Sequence, residues 1–259
     1  IPRMFMAAVI PGIMMVIALL IVNKYIVKKH NIKASDCTYT AKEKIQRTWK
    51  ALPALLLPVV ILGGIYGGIF TATEAAVVSV VYSIVVGIGL KTITLSNLRQ
   101  ASVKTVEMSA MIALIIGISN LFGWVLSYEQ IPQSLANIVT PIIGNKTTYL
   151  IILCITMLVV GALMETLTAI VILAPILVPI GTQMGIDPLV VGMVFCLVLI
   201  IGIVTPPFGV NLFVASSIME TPFPRVVKGG APFILALVAV VVICSIFPGI
   251  ITFLPNLMQ

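Results

Sequence analysis

"GIVTPPFGVNLF", residues 202–213, decides how the chain is read. The flanking sequence is apolar enough to cross a membrane, yet the middle of this stretch holds two consecutive prolines and two glycines. Pro206 and Pro207 carry no backbone N–H, and each ring clashes with the carbonyl one turn earlier, so a helix arriving from Pro188 must open near Gly202 to Thr205. In hydrocarbon an opened backbone is tolerated only where protein buries it or where it lines a cavity. There the freed carbonyls form a hard-oxygen cage suited to a small cation, sodium being the natural guest. Gly202 and Gly209 supply backbone freedom, and Thr205 and Asn211 offer side-chain oxygens. The alternative is a proline kink that only shapes packing.

The rest of the chain supports a membrane setting. Of 259 residues, 60% are hydrophobic and 9% charged, and the mean hydropathy is +1.22. The apolar runs lack the two-residue alternation of a barrel strand, so the spans read as helices and the fold class as all-α and polytopic. The net charge of +7 does not point to nucleic acid, because eight of the fifteen basic residues lie between Lys24 and Lys50, in one loop between spans. That loop is a cytoplasmic topology signal. Cys37, Cys154, Cys196 and Cys244 show no CxxC spacing, so neither a disulfide nor a transition-metal site is expected. The chain opens on Ile1, which reads as part of a longer polypeptide, and no signal-peptide pattern is visible.

Spans are predicted over 4–22, 51–70, 72–90 and 108–127, with the last leading outward to "YEQIPQSLANIVTPIIGNKTT", a polar surface with a short amphipathic segment. Residues 149–160 form an apolar run of only about a dozen residues, roughly 18 Å of helix against a ~30 Å core. "GALMETLT" (161–168) follows, then "AIVILAPILVPI" and the polar turn "GTQMGIDP". This pattern predicts a re-entrant hairpin over 149–180 that enters and leaves on the external side with 161–168 as its tip. A continuous helix is disfavoured by charge: it would leave "GTQMGIDP" cytoplasmic without Lys or Arg, and Arg225 and Lys228 outside. A broken helix over 188–218 and a last span over 231–254 complete the path.

Glu165 is the one acid inside a span or hairpin away from the interfaces. An intramembrane charge costs roughly 2.5–3.5 kcal/mol on insertion scales, so it either caps the second half-helix or faces a cation or substrate site. Thr166 and Thr168 are candidate hydroxyl ligands and Gly161 a carbonyl donor. By contrast, Thr71 and Glu74 in "GGIYGGIFTATEAA" have the spacing of a capping box, and Gly63, Gly64, Gly67 and Gly68 are expected to give small faces for helix packing. Intramembrane enzymes need a Ser/His pair, a His cluster or paired aspartates in the spans. The one His and both Asp residues lie in loops, so no catalytic residue is assigned.

"GGIYGGIFTATEAAVVSVVYS", "GALMETLTAIVILAPILVPI" and "GIVTPPFGVNLFVASSI" together resemble the C-terminal part of the large membrane subunit of tripartite ATP-independent periplasmic (TRAP) transporters, with a wording closest to the sialic-acid branch. The resemblance covers essentially the whole chain and implies that about the first two fifths of such a subunit are absent. It implies a bacterial inner-membrane protein of the ion-transporter superfamily type, with an elevator transport domain and a scaffold. The implied activity is sodium-coupled import of an organic acid such as sialic acid or a C4-dicarboxylate. The implied partners are a small membrane subunit, a periplasmic substrate-binding protein and membrane lipid. Carried onto this sequence, the resemblance puts Gly161, Gly202 and Thr205 at sodium positions; with Thr166 and Phe208 added these are the sodium candidates, and Glu165, Thr168, Pro206, Gly209 and Asn211 are the substrate-pocket candidates. Glu165 departs from the Asp of many relatives. The implied organisation is scaffold helices and basic arm over 1–107, transport domain over 108–230 and terminal scaffold helix over 231–259. A non-transporting scaffold or channel subunit is the rival reading.

Overall fold

The computed structural model describes residues 2–31, 40–164, 166–207 and 209–257, and every regular element among them is a helix. In order these are α1 (Pro2–Lys29), α2 (Ala41–Tyr66), α3 (Ala72–Gly89), α4 (Leu95–Tyr128), α5 (Ile131–Ile143), α6 (Lys146–Leu163), α7 (Thr166–Gln183), α8 (Pro188–Gly202), α9 (Val210–Ile218), α10 (Phe223–Ile246) and α11 (Gly249–Asn256). Six of the described helices are long and apolar enough to cross a membrane, and α2 makes a seventh if its two bent halves are one span. The chain is thus an all-α, multi-pass membrane protein. It divides into two compact units, Ile1–Pro2 with Ile32–Ala110, and Arg3–Asn31 with Met111–Gln259.

The first unit contains α2, α3 and the start of α4. The capping box forms as expected: Thr71 N–H donates to Glu74 Oε2 at 2.7 Å and Glu74 N–H to Thr71 Oγ1 at 3.3 Å. Tyr82 ties α3 to α2 by donating to the Pro53 carbonyl at 2.7 Å. Among the described residues, the preceding glycines serve the turn. A Cβ on Gly64 would lie 2.2 Å from Phe70 Cδ2, and Gly68 has φ +67, so these glycines let the chain turn back and lay Phe70 over the helix end. The basic segment expected as a loop is also helical at both of its described ends, because α1 continues to Lys29 and α2 already starts at Ala41. Likewise α4 runs well beyond the predicted 108–127. Hydropathy marks where lipid ends, whereas a helix without a proline or cap continues into water.

In the second unit α8 is the central element. Ten of its fifteen residues are buried, and those that are not, Pro188, Leu189, Gly192, Cys196 and Ile200, fall along one stripe, so protein encloses α8 on all sides but one. Its walls come from α1, α6, α7, α10 and α11, whose Ala7, Met157, Ala169, Val241 and Ile251 share one core with Val191, Val194 and Phe195. The predicted last span over 231–254 is two helices, since Pro248 lacks an N–H and clashes with the carbonyl of Cys244, so α10 stops at Ile246 and α11 restarts at Gly249.

Candidate ion and substrate site

The segment around "GALMETLT" turns back on itself. Asn145 starts α6 by accepting the N–H of Thr148 at 2.7 Å, and α6 closes with Met164 N–H donating to the Val160 carbonyl at 2.8 Å. At the opposite end of the pair, Lys146 Nζ donates to the Gly185 carbonyl at 2.7 Å, whereas one continuous helix would hold residues this far apart in sequence roughly 58 Å apart. Tyr149 strengthens the closure by donating its hydroxyl to the Leu177 carbonyl. A helical hairpin is therefore formed.

Two details of the expected hairpin change. Its arms are eighteen residues each, about 27 Å long, because Lys146 to Thr148 and Gly161 to Leu163 extend the apolar run as helix. Arm length therefore does not show that the tip stays within the membrane. The tip is also shorter than 161–168: α6 persists through Leu163 and α7 starts at Thr166. In either geometry the chain enters and leaves on one side, which preserves the topology drawn from charge.

α8 runs beside α6 in the same direction. Near the closed end, a Cβ on Gly181 would lie 2.7 Å from Val191 Cγ2 and 2.9 Å from Tyr149 Cε1. Near the tip, a Cβ on Gly202 would lie 2.6 Å from Gly161 Cα and one on Gly161 would lie 3.1 Å from the Leu199 carbonyl oxygen. The two backbones cross in contact at Gly161 and Gly202. This close approach explains both glycines without any ligand, and it brings the end of α8 to the depth of the hairpin tip.

Beyond Gly202 the helix opens, as the prolines require. The first freed carbonyls are recaptured: those of Leu199, Ile201 and Gly202 accept the N–H groups of Ile203, Val204 and Thr205 in a tightened last turn. Among the described residues, no backbone N–H reaches the carbonyls of Val204, Thr205, Pro206 and Pro207. The helix thus opens within the expected stretch from Gly202 to Thr205. Thr205 Oγ1 donates to the Ile201 carbonyl at 2.7 Å, which uses its proton and leaves its lone pairs for an electropositive guest. Gly209, at φ 21 and ψ 73, lets the chain turn into α9 in a conformation that suits glycine.

A pocket of about 300 Å³ lies between the last turns of α6 and the break, lined by Thr205, Pro206 and Pro207 on one side and by Leu158, Val159, Ala162 and Leu163 on the other. The α6 residues were missed as site residues; Leu158 and Ala162, four apart, carry only the signal of a helix face. Thr168, half-buried, and Asn211, exposed, do not line this pocket. Asn211 uses its backbone N–H for the Ile203 carbonyl at 3.4 Å. Glu165 and Phe208 lie outside the described residues.

Thr166 Oγ1 is buried and has no hydrogen-bond partner among the described residues. An orphaned buried hydroxyl costs about 1–3 kcal/mol. Thr166→Val is therefore expected to raise the stability of the protein in detergent by about 1 kcal/mol. A lowered unfolding midpoint would show that the hydroxyl is bonded in the native state. No group of three His, Cys, Asp or Glu that could hold a metal occurs among the described residues; the oxygens on offer are hydroxyls and carbonyls.

Comparison with known proteins gives the same direction as the geometry. Residues 1–250 match the family model described as "Tripartite ATP-independent periplasmic transporter, DctM component". The chain is 36% identical over 255 residues to the sialic acid TRAP transporter large permease protein SiaM of Vibrio cholerae, covering 98% of this chain and 60% of that protein. It is 35% identical to the C4-dicarboxylate large permease protein DctM of Pseudomonas aeruginosa, with coverage of 98% and 60%. Against the ectoine large permease protein TeaC of Halomonas elongata the identity is 32%, with coverage again 98% and 60%. The chain thus spans about three fifths of the length of these relatives, which are permeases of transporters and not enzymes. The structure offers a helical hairpin crossing a proline-broken helix, and the sequence matches along nearly its whole length: the chain belongs to the DctM component family of TRAP transporters.

Proposed function

We propose that this chain forms part of a permease for sodium-coupled import of an organic acid across the bacterial inner membrane. In this reading a periplasmic binding protein delivers the cargo and a small membrane subunit completes the permease. The observation that carries it is the meeting of two helix interruptions at one depth, with the Gly161–Gly202 crossing bringing the hairpin tip to a backbone opened by Pro206 and Pro207. Sodium enters as a co-substrate. Its donors are the oxygens near the tip and break: the orphaned Thr166 hydroxyl, the lone pairs of Thr205, and carbonyls of the break. Gly161, Gly202 and Phe208 are assigned as backbone positions of the same ion region.

The pocket beside Thr205 and Pro206 falls at the lower end of ligand-pocket volumes and suits a small carboxylate. Gly209 and Asn211 shape the exit from the break, and Glu165 and Thr168 belong to the tip. The named cargoes of the relatives, sialic acid, C4-dicarboxylate and ectoine, differ. Carboxylate is their shared chemistry, and sialic acid is the first to test. Helices that seal a core travel with it, so α1, α10 and α11 are proposed to move with the body drawn over 108–230, against the remaining spans.

The test is uptake of labelled sialic acid, C4-dicarboxylate and ectoine by the complete permease in vesicles, with its binding protein and an imposed sodium gradient. Thr205→Ala is expected to raise the sodium concentration for half-maximal uptake about tenfold, the weight of one charge-assisted contact, and Thr205→Ser to restore it. Uptake of all three cargoes without sodium dependence in the unsubstituted protein would remove the coupling. Failure to carry any of them would favour the scaffold or channel reading.

A further inference from the structure

The start of α2 is unlike the rest of that helix. Its axis turns by 52° between Lys42–Trp49 and Ala51–Tyr66. The cause is local: Pro53 has no N–H, and its ring clashes with the carbonyl of Trp49, so the helix opens where the two pieces join. After the bend, Leu55, Leu56, Val59 and Leu62 are exposed, as suits a lipid-facing span. Before it the pattern changes from apolar to amphipathic.

Ile45 and Trp49, four residues apart, share one helix face and are 60% and 68% exposed. Lys42, two turns before Trp49, falls close to the same line along the helix, and Lys44 lies roughly 100° round from Ile45 on the other side, both exposed. Glu43, the one acid of the segment, turns its carboxylate back to the helix start and accepts the Thr40 N–H at 2.9 Å. Thr48 Oγ1 donates to the Lys44 carbonyl at 2.9 Å, so this hydroxyl too is turned to its own backbone. Among the described residues this leaves an exposed apolar pair with an ammonium group to either side. Long cationic side chains flanking an aromatic and an aliphatic anchor match the boundary between acyl chains and headgroups.

We propose that Lys42–Trp49 is an interfacial arm that binds anionic phospholipid headgroups on the cytoplasmic leaflet. Ile45 and Trp49 enter the acyl boundary, while Lys42 and Lys44 reach up to phosphates. Charge complementarity selects the lipid: the segment is net basic, and the cytoplasmic leaflet is the anionic one. The bend at Lys50 is what permits this, because a straight α2 would carry Trp49 into water.

The experiment uses the permease in vesicles, with Trp124→Phe so that Trp49 is the tryptophan left among these residues. Its fluorescence is quenched by brominated phosphatidylglycerol or, at the same mole fraction, by brominated phosphatidylcholine. The anionic lipid is expected to quench at least about twofold more strongly, given the attraction expected for each lysine near the surface. High salt is expected to remove the excess. K42Q/K44Q is expected to abolish the excess while leaving quenching by phosphatidylcholine unchanged. Equal quenching by the two lipids in the parent, quenching by neither, or an excess that survives K42Q/K44Q would each overturn the proposal.

Discussion

Gly202→Ala is expected to lose the folded permease, whereas Gly161→Ala is expected to be the milder of the two. The new methyl at 202 would lie 2.6 Å from both the Cα and the carbonyl carbon of Gly161 and 3.0 Å from the Ala162 nitrogen, all backbone atoms of a neighbouring helix that cannot rotate aside. At 161 the methyl would lie 3.1 Å from the Leu199 oxygen and 3.2 Å from Gly202 Cα and Leu199 Cδ2, a crowding that a few tenths of an ångström relieve. Overpacking costs about 1–3 kcal/mol where side chains can adjust, and a backbone contact places Gly202→Ala at or above the top of that range. Both substitutions keep the carbonyl oxygen, so the ordering reports packing and not a lost ligand. Detergent unfolding midpoints would show it directly. An equal loss at the two positions, or a greater one at 161, would mean that α6 and α8 do not cross there.

Phe195→Ala should be comparably damaging for the opposite reason. Phe195 is 2% exposed and lies on the enclosed side of α8, among the buried Val191, Val194 and Val198. In water-soluble cores Phe→Ala costs about 3–5 kcal/mol, of which part is transfer of the ring from water. In a bilayer that part shrinks, since lipid solvates the ring nearly as well, and the cost comes from the cavity and its lost van der Waals contacts. The expected destabilisation is therefore about 2–3 kcal/mol, with Phe195→Leu recovering more than half. An unfolding midpoint unchanged by Phe195→Ala would show that α8 is not the packed centre of its unit.

The site was legible to different depths. Proline chemistry is local, so the opening after Gly202 could be read directly from Pro206 and Pro207. Polar and glycine content did the same for the neighbourhood of the tip, though not for its length, because helix continues as far as the backbone allows and apolarity does not mark its end. Charge asymmetry between loops pointed to a segment that returns to its starting side. The length argument offered beside it failed once the arms proved to be eighteen residues each.

What the linear chain determined by itself is therefore the set of interruptions: membrane-spanning composition, the proline break, a turn somewhere within 161–168, the cap at Thr71. Each depends on a residue and its near neighbours. Folding in three dimensions decided which interruptions meet. That Gly161 faces Gly202, that Lys146 closes on Gly185, and that α8 is enclosed while α3 and α4 stay largely open follow from contacts between residues far apart along the chain. Such contacts depend on shape matching between whole helix faces, which no local pattern encodes.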